Sequence, residues 1–125
     1  MSVIKEYLAQ LDKFLSNVPF KLLTNVQSEN RGDAALYVKG EIIFADKSEL
    51  HFKEYFIAIP ALKRLAYSYH YQAHDKKLIF RYDNAEHYTE IETYPHHKHI
   101  QNEVLPSKNV DITEVINEIV RSFAK

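Results

Sequence analysis

The chain contains no cysteine, which excludes a disulfide framework and any thiolate metal site. It has two glycines, Gly32 and Gly40, too few for a glycine-rich phosphate loop. No apolar run approaches the roughly 20 residues that span a bilayer. The opening stretch MSVIKEYLAQLDKFL carries Lys5, Glu6, Asp12 and Lys13 within its apolar pattern, so it does not read as a signal peptide. No serine stands in a nucleophile motif. Charge of one sign is lacking too: 16 basic residues face 17 acidic ones, a formal net charge of −1. That balance argues against a protein that coats nucleic acid non-specifically, because such binding runs on phosphate neutralisation. A soluble, cytoplasmic protein is the simplest expectation.

What is present suits one domain. The 125 residues are 46% hydrophobic, enough for a buried core and too apolar for a disordered chain. Residues 1–125 are read as a single unit. Val3, Ile4, Tyr7, Leu8, Leu11, Phe14 and Leu15 recur at helical spacing behind Ser2 as N-cap. A second helix closes the chain, announced by a capping-box pair Asp111 and Glu114 and a staple pair Val110 and Val115. Its apolar stripe is Ile112, Val115, Ile116, Ile119, Val120 and Phe123.

Between the helices the period changes to two. Strands are expected over residues 20–26, 34–44, about 50–56, 65–72 and 77–83. Matching apolar faces sets Phe44 opposite Leu50, Ile42 opposite Phe52 and Gly40 opposite Glu54. Glu54 then falls on the apolar face, explained by a strand end opening to solvent. Residues 84–110 read as a long loop with a short strand over 90–94. The expected class is α+β: an antiparallel meander of about five strands flanked by N- and C-terminal helices.

The chemistry concentrates in one region. Six of the seven histidines lie between Lys63 and His99. A tight hairpin pairs Tyr71 with Phe80, His70 with Arg81 and Tyr69 with Tyr82. One face then carries Tyr67, Tyr69, Tyr71, Leu78, Phe80 and Tyr82, a core face whose rival reading is a base-stacking platform. The other face gathers Ser68, His70, Gln72, Ile79, Arg81 and Asp83. On residue types alone, a surface Arg81–Asp83 ion pair beside a solvated histidine is the plainer account. The sharper one is an anion site with His70 as a proton carrier. The tract His96, His97, Lys98, His99 lacks a recognised zinc spacing, and Lys98 repels a cation, so no metal and no cofactor are expected.

The stretches YSYHYQ, LIFRYDNAEHY and YPHHKHI, in that order and spacing, resemble the TumE-type toxins of bacterial and archaeal toxin–antitoxin systems. The resemblance runs from about Leu36 to the C-terminal helix. It singles out Glu54 and Tyr55; Tyr67, Tyr69, His70 and Gln72; Arg81, Tyr82, Asp83, Asn84 and His87; and His96, His97, Lys98 and His99. Glu86 stands where proline is usual, and Tyr88 where a second histidine is usual. The resemblance implies a growth-inhibiting toxin encoded beside a helix-turn-helix antitoxin.

The residues themselves suggest a metal-independent ribonuclease, and the resemblance sets it in a type II module. His70 and one of His87, His96, His97 or His99 would act as base and acid, and Arg81 would stabilise the phosphate. Lys98, Tyr69, Tyr82 and Asn84 would bind RNA, with Asp83 or Glu54 orienting a histidine. A different class competes: a non-enzymatic binder of nucleic acid, nucleotide or protein with a structural histidine cluster. An exposed first or last strand would support a homodimer.

Overall fold

The computed structural model describes residues 2–124. Helix α1 (Val3–Ser16) precedes seven strands, and helix α2 (Ile112–Ser122) follows them. The strands are β1 (Lys21–Arg31), β2 (Ala35–Phe44), β3 (Glu49–Ile57), β4 (Lys63–Gln72), β5 (Leu78–Asp83), β6 (His97–Ile100) and β7 (Glu103–Pro106). They form one antiparallel sheet in sequence order. The α+β meander is as expected, but it has seven strands rather than five. The additional pair, β6 and β7, lies within the stretch read as a loop, and residues 90–94 are turns instead of a strand. Neither face of His97-Lys98-His99-Ile100 is wholly apolar, so the alternation that marks a strand is absent there.

Both helices lie on one face of the sheet. Ser2 caps α1 by accepting from the Lys5 amide at 3.1 Å. The capping box of α2 is formed as read, with Asp111 accepting from the Glu114 amide at 2.8 Å and Glu114 returning the bond. Tyr7 of α1 packs on Phe56, and Phe123 beyond α2 packs on Phe44. Ile4, Leu11, Leu15, Ile112, Val115, Ile116 and Ile119 bury against Leu36, Val38, Ile42, Phe44, Leu50 and Phe52. Period 3.6 on the helices and period 2 on the strands thus feed one core.

The expected register of β2 against β3 is wrong by two residues. Ile42 faces Leu50, Gly40 faces Phe52 and Val38 faces Glu54. The turn accounts for part of this: the Phe44 amide bonds the Ser48 carbonyl at 2.9 Å, which takes Phe44 out of reach of Leu50. The glycine accounts for the rest. The Phe52 ring lies over Gly40, where an added Cβ would come within 2.2 Å of ring Cζ. A slip of two preserves which face each side chain occupies, so the faces were read correctly although the neighbours were not.

Two further expectations fail. Glu54 is not at an open strand end; it is 2% exposed inside the core. It accepts from the hydroxyls of Tyr7 and Tyr69, the latter at 2.5 Å, with Arg64 at 4.0 Å. Leu78 does not share the aromatic face. A register shift pairs Gln72 with Leu78 while Tyr71 still pairs with Phe80, so Leu78 joins the polar side and Ile79 the side of α2.

Candidate functional site

Sheet register assembles the site. On the face away from the helices, two transverse rows run across the strands. One reads Asn25, Glu41, His51, His70, Arg81, His99, each residue paired with the next from β1 to β6. The adjacent row reads Gln27, Lys39, Lys53, Ser68, Asp83, His97. Directly opposed side chains in such rows lie about 5 Å apart at Cβ. The expected pairs Tyr71–Phe80, His70–Arg81 and Tyr69–Tyr82 are all present.

Two hollows share Ser68, His70 and Arg81 and so form one groove along these rows. The first, about 550 Å³, is lined by Lys39, Glu41, His51 and Lys53 among others. The second, about 700 Å³, reaches Asp83, His87, Tyr88, His97 and His99. The side chains are mostly polar, and three fixed cations in the first hollow (Lys39, Lys53, Arg81) face one carboxylate (Glu41). That excess favours an anionic, extended ligand.

His70 is held by a chain of contacts whose proton positions follow from chemistry. Glu49 only accepts, because Lys76 and His51 keep its pKa down at about 2. The Gln72 amide nitrogen therefore donates to it at 3.2 Å, leaving Gln72 Oε1 to accept from His70 Nε2 at 2.9 Å. His70 consequently keeps a bare Nδ1. Burial, opposed by the Gln72 bond and aided by Arg81 and His51, holds its pKa below the ordinary 6.5. At neutral pH it is an uncharged imidazole able to take a proton.

Asp83 anchors the far corner. Its carboxylate lies 2.8 Å from His97 Nε2, 3.5 Å from His99 Nε2 and 3.2 Å from Arg81 Nε. The Ala85 amide donates to it at 3.0 Å. Although His97 Nε2 is close to Asp83, its geometry makes no hydrogen bond, and the atom is buried without a partner. Tyr88 sets its ring edge-on to His97 at 4.9 Å and to His99 at 5.7 Å. The residue that replaces the expected histidine is thus the roof over this corner. Burial lowers the His99 pKa, with Asp83 opposing.

The structure divides the remaining candidates. His70, Arg81, Asp83, Asn84, His87, His97 and His99 line the groove. Strand alternation sends His96 and Lys98 to the opposite side. His96 bonds and stacks on Tyr67, with a pKa lowered by burial. Lys98 pairs with Glu118 at 3.1 Å and lies over the Tyr82 ring. Tyr69 is 0% exposed and Tyr82 hydrogen-bonds Glu118, so neither offers a stacking surface. Glu54 belongs to the core, not to a histidine. Asn84 accepts from the Tyr67 amide and donates to the Leu65 carbonyl, bracing the end of β4. Sequence reading missed Lys39, Lys53 and His51. Their alternation with Val38, Phe52 and Leu50 marked them as outward-facing, but only the register aligns them with His70.

A family model described as toxin TumE matches residues 11–123. The chain belongs to the TumE family. No curated protein and no solved structure matches it. As a TumE-family toxin it implies an antitoxin partner. None of its helices among the described residues is long and apolar enough to cross a membrane.

Proposed function

We propose that this TumE-family chain is the toxin of a type II module, inhibited by a helix-turn-helix antitoxin, and that it arrests growth by cleaving RNA in the groove. The observation that supports this best is the transverse row His51–His70–Arg81–His99 beside Lys39 and Lys53. It sets a neutral imidazole next to a guanidinium inside a basic, extended hollow. In the reaction His70 Nδ1 takes the 2′-hydroxyl proton, the 2′ oxygen bonds to phosphorus, and the bond to the 5′ oxygen breaks. Arg81, with 44% of its side chain exposed, reaches the phosphate and stabilises its crowded transition state. The departing 5′ oxygen falls toward the corner of Asp83, His97 and His99. In the metal-free version of this mechanism the protonated form of His99, which Asp83 stabilises against burial, returns a proton there.

The test is RNA integrity shortly after induction of the toxin alone, wild type beside Arg81→Ala and His70→Ala variants shown to fold by circular dichroism. Discrete cleavage in the wild type, lost in both variants, is the expected result. Growth arrest with intact RNA refutes it. That outcome favours the non-enzymatic reading, which has one observation behind it: Asp83 and His97 are buried under Tyr88, as a cluster bracing residues 84–96 would be.

A further inference from the structure

We infer that Asp83, His97 and His99 bind a divalent transition-metal ion of the zinc class. The inference deepens the proposed function by supplying that corner with an ion, while the binding itself stands or falls without it. One donor atom from each residue lies within 4.8 Å of the other two. Bonds of about 2.1 Å in a tetrahedral site put donors about 3.4 Å apart. Each carboxylate oxygen of Asp83 already has one imidazole nitrogen beside it, His97 Nε2 at 2.8 Å from Oδ1 and His99 Nε2 at 3.5 Å from Oδ2. The remaining approach needs a rotation of His99, whose side chain is 23% exposed.

His97 carries the independent evidence. Its Nδ1 lies 2.9 Å from the Pro95 carbonyl, which can only accept, so Nδ1 holds the proton. In the neutral ring Nε2 then carries a lone pair; the side chain is 2% exposed, and Nε2 lies 2.8 Å from a carboxylate oxygen it does not hydrogen-bond. An unprotonated nitrogen this close to a carboxylate oxygen is repelled by it unless a cation, proton or metal ion, bridges the two. A metal-ligating histidine is commonly fixed in this way, its other ring nitrogen donating to a backbone carbonyl. Asp83 is fixed likewise by the Ala85 amide. Two imidazoles and one carboxylate suit zinc, iron, cobalt or manganese better than magnesium or calcium, which favour all-oxygen sites.

The sequence argument against a metal loses two of its supports. Spacing along the chain is irrelevant once Asp83 arrives from β5 directly opposite His97. Lys98, counted as a repelling charge, lies on the other face against Glu118. Arg81 is the remaining cation; it contacts Asp83 Oδ2, the oxygen beside His99, and leaves Oδ1 to His97. Bound beside Arg81, the ion would stabilise charge on the departing 5′ oxygen and relieve His99 of the acid role.

The experiment is calorimetric titration of tag-free, EDTA-treated full-length protein with zinc chloride, and with magnesium chloride as the contrast. One zinc per chain, no magnesium binding and a raised Tm with zinc are expected. Asp83→Asn and His99→Gln should each weaken zinc binding at least about tenfold, while His74→Ala, in the exposed turn before β5, should leave it unchanged. His99→Gln decides alone if the aspartate variant does not fold. Absence of zinc binding, or full affinity in His99→Gln, overturns the site. Cleavage of RNA by protein that binds no zinc would remove the ion and keep the ribonuclease; stoichiometric zinc with intact cellular RNA would do the reverse.

Discussion

Glu54 distinguishes a carboxylate that holds the fold from one that serves the groove. Its two oxygens take the hydroxyls of Tyr7 and Tyr69, with Arg64 at 4.0 Å, all within the core. Glu54→Ala removes the acceptor of the buried Tyr69 O–H, whose oxygen still accepts from Arg64 Nη1 at 2.5 Å, and that of the partly buried Tyr7 O–H. With about 1–3 kcal/mol for each buried donor left unpaired and Tyr7 only partly buried, the expected loss is about 2–4 kcal/mol. Glu54→Gln keeps an acceptor and the volume, so its cost is small. Burial raises the Glu54 pKa above the ordinary 4.5, against the tyrosine bonds and Arg64. Folding therefore shifts the balance toward the neutral carboxyl relative to the unfolded chain. Its contribution is complete below pH 4.5 and declines as pH rises through the raised folded-state value. Urea unfolding of both variants from pH 4 to pH 8 tests this. Glu54→Gln should gain on the wild type as pH rises, and Glu54→Ala should be destabilised throughout. A pH-independent difference between wild type and Glu54→Gln, or an alanine penalty below about 1 kcal/mol, would refute the reasoning.

Gly40→Ala should destabilise by about 1–3 kcal/mol, since its Cβ meets the Phe52 ring, and Phe52→Leu in the same chain should recover part of the loss in a double-mutant cycle. Lys98→Ala and His96→Ala should retain growth arrest, because both side chains lie on the helix side of the sheet, whereas Arg81→Ala abolishes it in the same induction assay. The Lys98 change should cost about 1 kcal/mol of stability, through its Glu118 pair and the Tyr82 ring.

Much of the molecule was legible one residue at a time. Caps at Ser2 and Asp111, apolar stripes on both helices and the alternation of Tyr67, Tyr69 and Tyr71 are local signals with local causes. They determined the α+β class and the faces of the strand residues Leu36 to Phe44 and Leu50 to Phe56. The hairpin from β4 to β5 was also readable as far as Tyr71 and Phe80, because its turn is short. Beyond that point the bulge at Ile79 moved Leu78 to the other face, and no local pattern announced it. Pairing over longer distances was decided by packing: the space over Gly40 selected the register of β2 with β3. That register, carried through β4 and β5, aligned His51, His70, Arg81 and His99. The His96–His99 tract shows the limit most clearly. By composition it is one cluster, yet in the structure it is two sets, His97 and His99 toward Asp83, Lys98 of β6 and His96 just before it toward the helices. Residue types came from the sequence, but which of them meet depended on strand pairing, because backbone hydrogen bonds carry no record of side-chain identity.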